Sequence, residues 1–200
     1  ALGATSLTAM AQFEGTDIND RAEYSFKKAG IAEADINDSI QIARGYVSMF
    51  QQSIQNQDYK DAYINWKWLI NNTPFINNGI YAGNAPFMFY QLINQEQDAN
   101  QKLAYFNDMM KMFDLRLARL DSINSFNKIK NTKGDVLAVR ADYYNYTAPT
   151  IGQACGYNFK THYGNYADAI KEIKDNGGRD VEGTVLQNFI LISNAYFQQV

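Results

Sequence analysis

Gln57-Asp58-Tyr59-Lys60-Asp61-Ala62-Tyr63-Ile64-Asn65-Trp66-Lys67-Trp68-Leu69-Ile70 is the stretch that decides the fold class. Tyr59, Ala62, Tyr63, Trp66, Leu69 and Ile70 recur at intervals of three and four, the spacing that lines one side of an α-helix with apolar surface. Asp58 stands where an N-cap carboxylate accepts the free amides of a first helical turn, and Pro74 stops the pattern because it lacks an amide hydrogen. Upstream, a start signal at Asn37-Asp38-Ser39 leads into a second apolar face made by Ile40, Ala43, Val47, Phe50 and Ile54. Two amphipathic helices joined by so short a polar turn must lie side by side and antiparallel.

The same pattern continues in both directions. Arg21 to Ala29 reads as a short helix closed by Gly30. A third long element covers roughly Asn78 to Asn94, with Pro86 marking a kink or a fresh start capped by Asn84. Leu103, Phe106, Met110, Phe113, Leu117 and Leu120 form the stripe of a helix from about Asp98 to Leu120. Asp121 to Thr132, rich in Ser, Asn and Lys, reads as a loop. Helices are expected again at about Gly134 to Tyr146, Ile151 to Tyr163, Tyr166 to Asp175 and Glu182 to Gln199, with Asn176-Gly177-Gly178 as a stop signal. No run of period-two alternation competes, so the expected class is all-α.

Composition excludes several function classes. In 200 residues there are 18 Lys and Arg against 21 Asp and Glu, for a net charge of −3, and no basic block. Neither nucleic acid nor an anionic membrane surface would find a field to bind. No run of eighteen apolar residues offers a membrane span. Cys155 and His162 are the sole cysteine and histidine, which rules out an intrachain disulfide and any metal site needing two such ligands. Cys155 reads as a small packed apolar residue. On one helix, its seven-residue separation from His162 would be roughly 10 Å of rise, too far for proton transfer. There is no Gly-rich phosphate loop, H-E-x-x-H or G-x-S-x-G, so no cofactor, metal or catalytic residue is expected.

A search for internal repeats finds Gln57-Asp58-Tyr59-Lys60-Asp61-Ala62 echoed by Gly164-Asn165-Tyr166-Ala167-Asp168-Ala169. Asp58-Tyr59-x-x-Ala62, followed by Trp66, Leu69 and Pro74, resembles the second half of a tetratricopeptide repeat. The first half matches less well: Tyr46 and Met49 suit it, whereas Phe50 and Ser53 depart from it. The wider pattern resembles tetratricopeptide-like proteins exported by Bacteroides and its relatives, through Gln57 to Trp66, Asp114-Leu115-Arg116, and Lys133-Gly134-Asp135-Val136-Leu137 ahead of Arg140. The likeness runs from about Ile40 to Val200. It implies antiparallel helix pairs stacked as a right-handed superhelical array over residues 38–200, preceded by a polar segment with a short helix over 12–37. The apolar helical pattern running to the end leads one to expect further helices.

That resemblance implies a non-catalytic scaffold for a protein or peptide partner. Ligands would lie on the concave face, lined by Arg44, Val47, Gln51, Ile54 and Gln55 in register with Ala62. In register with Ala169 the corresponding positions are Ile151, Ala154, Asn158, Thr161 and His162. An alternative from another class is glycan binding at the cell surface or in the periplasm, with Trp68, Tyr143 and Tyr144 as stacking platforms for sugar rings. The relatives begin with a cleaved signal. Ala9-Met10-Ala11 has the small-x-small form that a signal peptidase accepts, although an ordinary N-terminus can carry it too. Cleavage between Ala11 and Gln12 would make residues 1–11 a signal remnant and place the protein in the periplasm or outside the cell. Asp38-Ser39-Ile40 and Asp121-Ser122-Ile123 resemble the O-glycosylation acceptors of that group.

Overall fold

A computed structural model describes residues 17–127, 130–176 and 183–198. Among these residues the secondary structure is helical throughout, as the periodicity predicts. The described residues divide into two compact units, 17–89 with 121–127, and 90–120 with 130–176 and 183–198. The proposed cleavage site lies outside the described residues.

The first unit is built on α1 (Ile18–Lys28), α2 (Glu33–Gln55) and α3 (Tyr59–Asn72). Asp17 caps α1, its carboxylate accepting the amide of Asn19. Helix α2 begins at Glu33, earlier than Asn37-Asp38-Ser39 suggested, so that start signal falls inside the helix. Helices α2 and α3 pack antiparallel across a turn of three residues. The turn is a Schellman closure: Gln57 N–H donates to Ile54 O at 3.1 Å and Asp58 N–H to Ser53 O at 2.9 Å. Gln57 takes the left-handed conformation (φ +62°) that such a closure normally gives to glycine. Asp58 then caps α3 by accepting the amide of Asp61.

The core of this hairpin holds Ala43, Val47, Phe50, Ala62, Trp66 and Leu69, all buried. Ala62 has no exposed surface, and Trp66 Nε1–H donates to the Ile80 carbonyl at 2.9 Å. The indole thus satisfies its one donor while burying its ring against Phe89. A short 3-10 turn at Asn78–Ile80 follows, and α4 (Asn84–Gln95) starts afresh with Pro86 in its first turn, where a missing amide costs least. The expected loop over Asp121 to Thr132 contains a short helix, α6 (Leu120–Ser125), in which Ile123 is buried. Both candidate glycosylation triplets lie in helices, with Ser39 and Ser122 half-buried.

In the second unit, α5 (Ala99–Ala118) is capped by Asp98. Helix α7 (Lys133–Ile151) opens on a capping box in which Thr132 and Asp135 satisfy each other's backbone amides. It packs on α8 (Phe159–Asn176), which in turn packs on α9 (Gly183–Phe197). Ala138, Ala141 and Ala169 let these backbones approach, and Tyr166 and Val185 fill the space between them. One expectation fails here. Residues 151–163 do not form one continuous helix: α7 ends at Ile151, a 3-10 turn covers Gly152–Cys155, and residues from Phe159 onward belong to α8. Gly152 (φ +68°) and Gly156 (φ +72°) both adopt left-handed conformations, which a continuous α-helix cannot contain.

Candidate functional site

The broken helix changes the meaning of the repeat. Tyr59 is the first residue of α3, so it anchors the turn. Tyr166 lies seven positions after Phe159, well inside α8, where its hydroxyl donates to Asp142 Oδ1 at 2.7 Å. The two sequence echoes therefore occupy different structural positions. The concave set counted from Ala169 is scattered accordingly. Ile151 ends α7, Ala154 lies in the 3-10 turn, and Asn158 caps α8 by accepting the amide of Thr161 at 2.8 Å. His162 is buried at 1% exposure, packed among the rings of Tyr144, Tyr157 and Tyr166.

Of the five positions counted from Ala62, Arg44 and Gln55 are exposed, Gln51 and Ile54 are half-buried, and Val47 is a core residue at 4% exposure. Val47 and His162 cannot line an open groove. Tyr144 cannot serve as a sugar platform either. It is buried, stacked on Tyr157 and met at the edge by Phe106. Tyr143 is half-buried against Phe113, and burial pushes its hydroxyl up to about 12. Trp68 lies in the other unit, with one face covered by Tyr46.

Cys155 and His162 show no catalytic character. The Cys155 thiol donates to backbone carbonyls of Ala148 and Gly152, and burial raises its pKa. Burial lowers His162 to about 4, so it is neutral near pH 7. A thiol whose pKa is raised and an imidazole whose pKa is lowered are the reverse of an activated nucleophile and its base. Among the described residues, no group of three or more His, Cys, Asp or Glu has a metal-holding arrangement, and no helix is long and apolar enough to cross a membrane.

What the structure leaves open is a different stripe of the α2–α3 hairpin. Ile42, Met49 and Ile64 are 55%, 43% and 64% exposed, far more than their apolar character favours. Between them Tyr46 and Trp68 stack in parallel, centroids 4.0 Å apart and planes 4° from coplanar. At the turn end this surface runs into an open cleft of about 350 Å³, lined by Met49, Gln52, Ser53, Asn56, Asp58 and Asp61. Ser53 Oγ–H and Asn65 Nδ2–H both donate to the Asp61 carboxylate, which fixes that wall. The sequence carried a trace of this surface: Ile42, Tyr46 and Met49 repeat at four and three, one position off the core stripe. The core stripe masked it, because two apolar stripes on one helix read as a single broad buried face. A scan against protein-family models, a search of the curated proteins and a search of the solved structures each found no match to this chain.

Proposed function

We propose that this chain is a non-catalytic binding module for a protein or peptide partner, built as a tetratricopeptide-like array of helix pairs and exported from the cytoplasm. The observation that carries the reading is the exposed apolar stripe of α2 and α3, with Ile42, Met49 and Ile64 set around the Tyr46–Trp68 stack. Isolated apolar side chains on a surface are ordinary, whereas several gathered on one face beside a cleft mark an interaction site. The array and the export signal rest on the resemblance of Asp58 to Pro74 and of Ala9-Met10-Ala11. The concave positions that stay open, Arg44, Gln51 and Gln55, lie on another side of α2. Their amides and guanidinium suit extended peptide backbone.

Proximity labelling in the periplasm tests the reading. A consistent protein partner is expected with the native chain and should be lost with Ile64→Glu, while circular dichroism stays unchanged. Labelling that is indifferent to Ile64→Glu would remove this face from the function. Recovery of the native chain solely from the cytoplasm would overturn export.

A further inference from the structure

We infer that the open face of the α2–α3 hairpin receives a basic amphipathic helix of a protein partner. The inference rests on the binding-module reading above and adds the chemistry of the occupant. Helical register places Asp38, Ile42, Tyr46, Met49 and Ser53 on one stripe of α2, and Asp61, Ile64 and Trp68 on the facing stripe of α3. The Tyr46–Trp68 stack locks the two stripes side by side. Together they form one apolar face, bridged by that stack and opening into the cleft at the turn end, on which a third helix can lie.

Charge along this face has one sign. Asp38 stands exposed at one end, and Asp58 and Asp61 stand exposed at the other, around the cleft. By helical register the nearby cations lie off these two stripes. Arg44 is two residues past Ile42, on the far side of α2. Lys60 and Lys67 flank Ile64 on the edge away from α2, and Lys67 Nζ lies over the Tyr63 ring at 4.6 Å. An apolar centre with carboxylates at both ends complements a helix that carries apolar residues at intervals of three and four and Lys or Arg at its two ends. From Asp38 to Ser53 the rise is roughly 22 Å, so the complementary helix has about 15 residues. Met49, unbranched and adaptable, suits the middle of such a contact. The same carboxylates repel an anionic lipid surface, which sets this face apart from a membrane anchor.

The test uses the full chain and fluorescence anisotropy at low salt. The probe is a fluorescein-labelled peptide of about 15 residues, with leucines at helical spacing and lysines at both ends. Its twin carries glutamates in place of the lysines. The lysine peptide is expected to bind about tenfold more tightly than the twin, the sum of a few weak exposed ion pairs. Asp38→Asn with Asp58→Asn and Asp61→Asn should abolish that preference, and asparagine keeps both the α3 cap and the Ser53 hydrogen bond. Ile64→Ser should abolish binding of both peptides, with circular dichroism unchanged. Equal binding of the two peptides, lost on Ile64→Ser, would overturn the basic partner and leave the binding module standing. Binding of neither would overturn both for this face. Concentration-dependent dimerisation in sedimentation, abolished by Ile64→Ser, would assign the face to a second copy of this chain and overturn the inference.

Discussion

Gly134 makes a close backbone approach to Ile173, and Gly134→Ala measures what that approach is worth. It is buried in the first turn of α7, against α8. A Cβ there would lie 2.4 Å from Ile173 Cγ1, 3.0 Å from the Ile173 amide nitrogen and 3.2 Å from its Cα. The side-chain clash can be eased only by moving Ile173 to a less favourable rotamer, at a cost, and the backbone clash cannot be eased that way, because Ile173 N and Cα belong to α8 itself. Restoring ordinary contact near 3.5 Å requires the two helices to part by roughly half an ångström. That separation loosens the layer in which Ala138, Ala141, Tyr166 and Ala169 are packed. Overpacking of this kind costs about 1–3 kcal/mol, and alanine returns up to about 1 kcal/mol of helix propensity, less in a first turn. The expected net loss is about 1–2 kcal/mol, read from urea denaturation followed by circular dichroism. Hydrogen exchange should quicken in peptides from 133–176. Ile173→Ala alone removes packing, but combined with Gly134→Ala it removes the side-chain half of the clash. The pair should therefore fall short of additivity by about 0.5 kcal/mol or more. A Gly134→Ala protein as stable as the native chain would refute the close-approach argument, and strict additivity would refute the role given to Cγ1.

Three other outcomes follow from named features. Gln57→Gly relieves a left-handed residue in the α2–α3 turn and should raise stability by about 0.5–1 kcal/mol in the same denaturation assay; a loss would mean that the Gln57 side chain contributes something the backbone does not show. Trp66→Phe deletes the donor to Ile80 O and leaves a space in the core, so a loss of about 2–3 kcal/mol is expected in the same denaturation assay. For His162, the folded imidazole stays neutral down to about pH 4, whereas in the unfolded chain it takes a proton near 6.5. The unfolded state binds more protons across that window, so stability falls as pH is lowered from about 6.5 toward 4, by up to about 3 kcal/mol. His162→Phe should flatten this part of the stability profile, and a profile identical to that of the native chain would show that the buried imidazole does not control it.

The helix pattern was legible because it rests on local physics. Asp58, Asp98 and Thr132 cap helices, and core residues such as Ala43, Val47, Phe50 and Ala62 recur at helical spacing. The break between Ile151 and Phe159 was not legible. Apolar residues at 151, 154, 155, 157 and 159 imitate a helical period, and the sign of φ at Gly152 and Gly156 decides the matter. A glycine in sequence permits a left-handed turn without requiring one. Once the turn is in place, α8 starts late, Tyr166 falls mid-helix, and the concave positions projected from Ala169 lose their common face.

The exposed apolar stripe was harder to read, for a reason of geometry. On α2 the buried stripe through Ala43, Val47 and Phe50 lies next to the open one through Ile42, Tyr46 and Met49. Neighbouring positions on a helix differ by only about 100° of turn. Hydropathy reports both stripes alike, since it records what a side chain prefers and not whether another helix arrives to cover it. The discriminating information is tertiary: Phe50 has no exposed surface, whereas Met49 beside it is 43% exposed. Polar neighbours give the useful hint in retrospect. A stripe that closes on a core runs from apolar residue to apolar residue, whereas this one runs into Asp38 at one end and Ser53 and Asp61 at the other. An apolar stripe bounded by carboxylates is suited to contact that can be made and released in water, because its ends stay solvated while its centre is covered. That boundary is what the proposed recognition role draws on, while the neighbouring stripe is buried in the core.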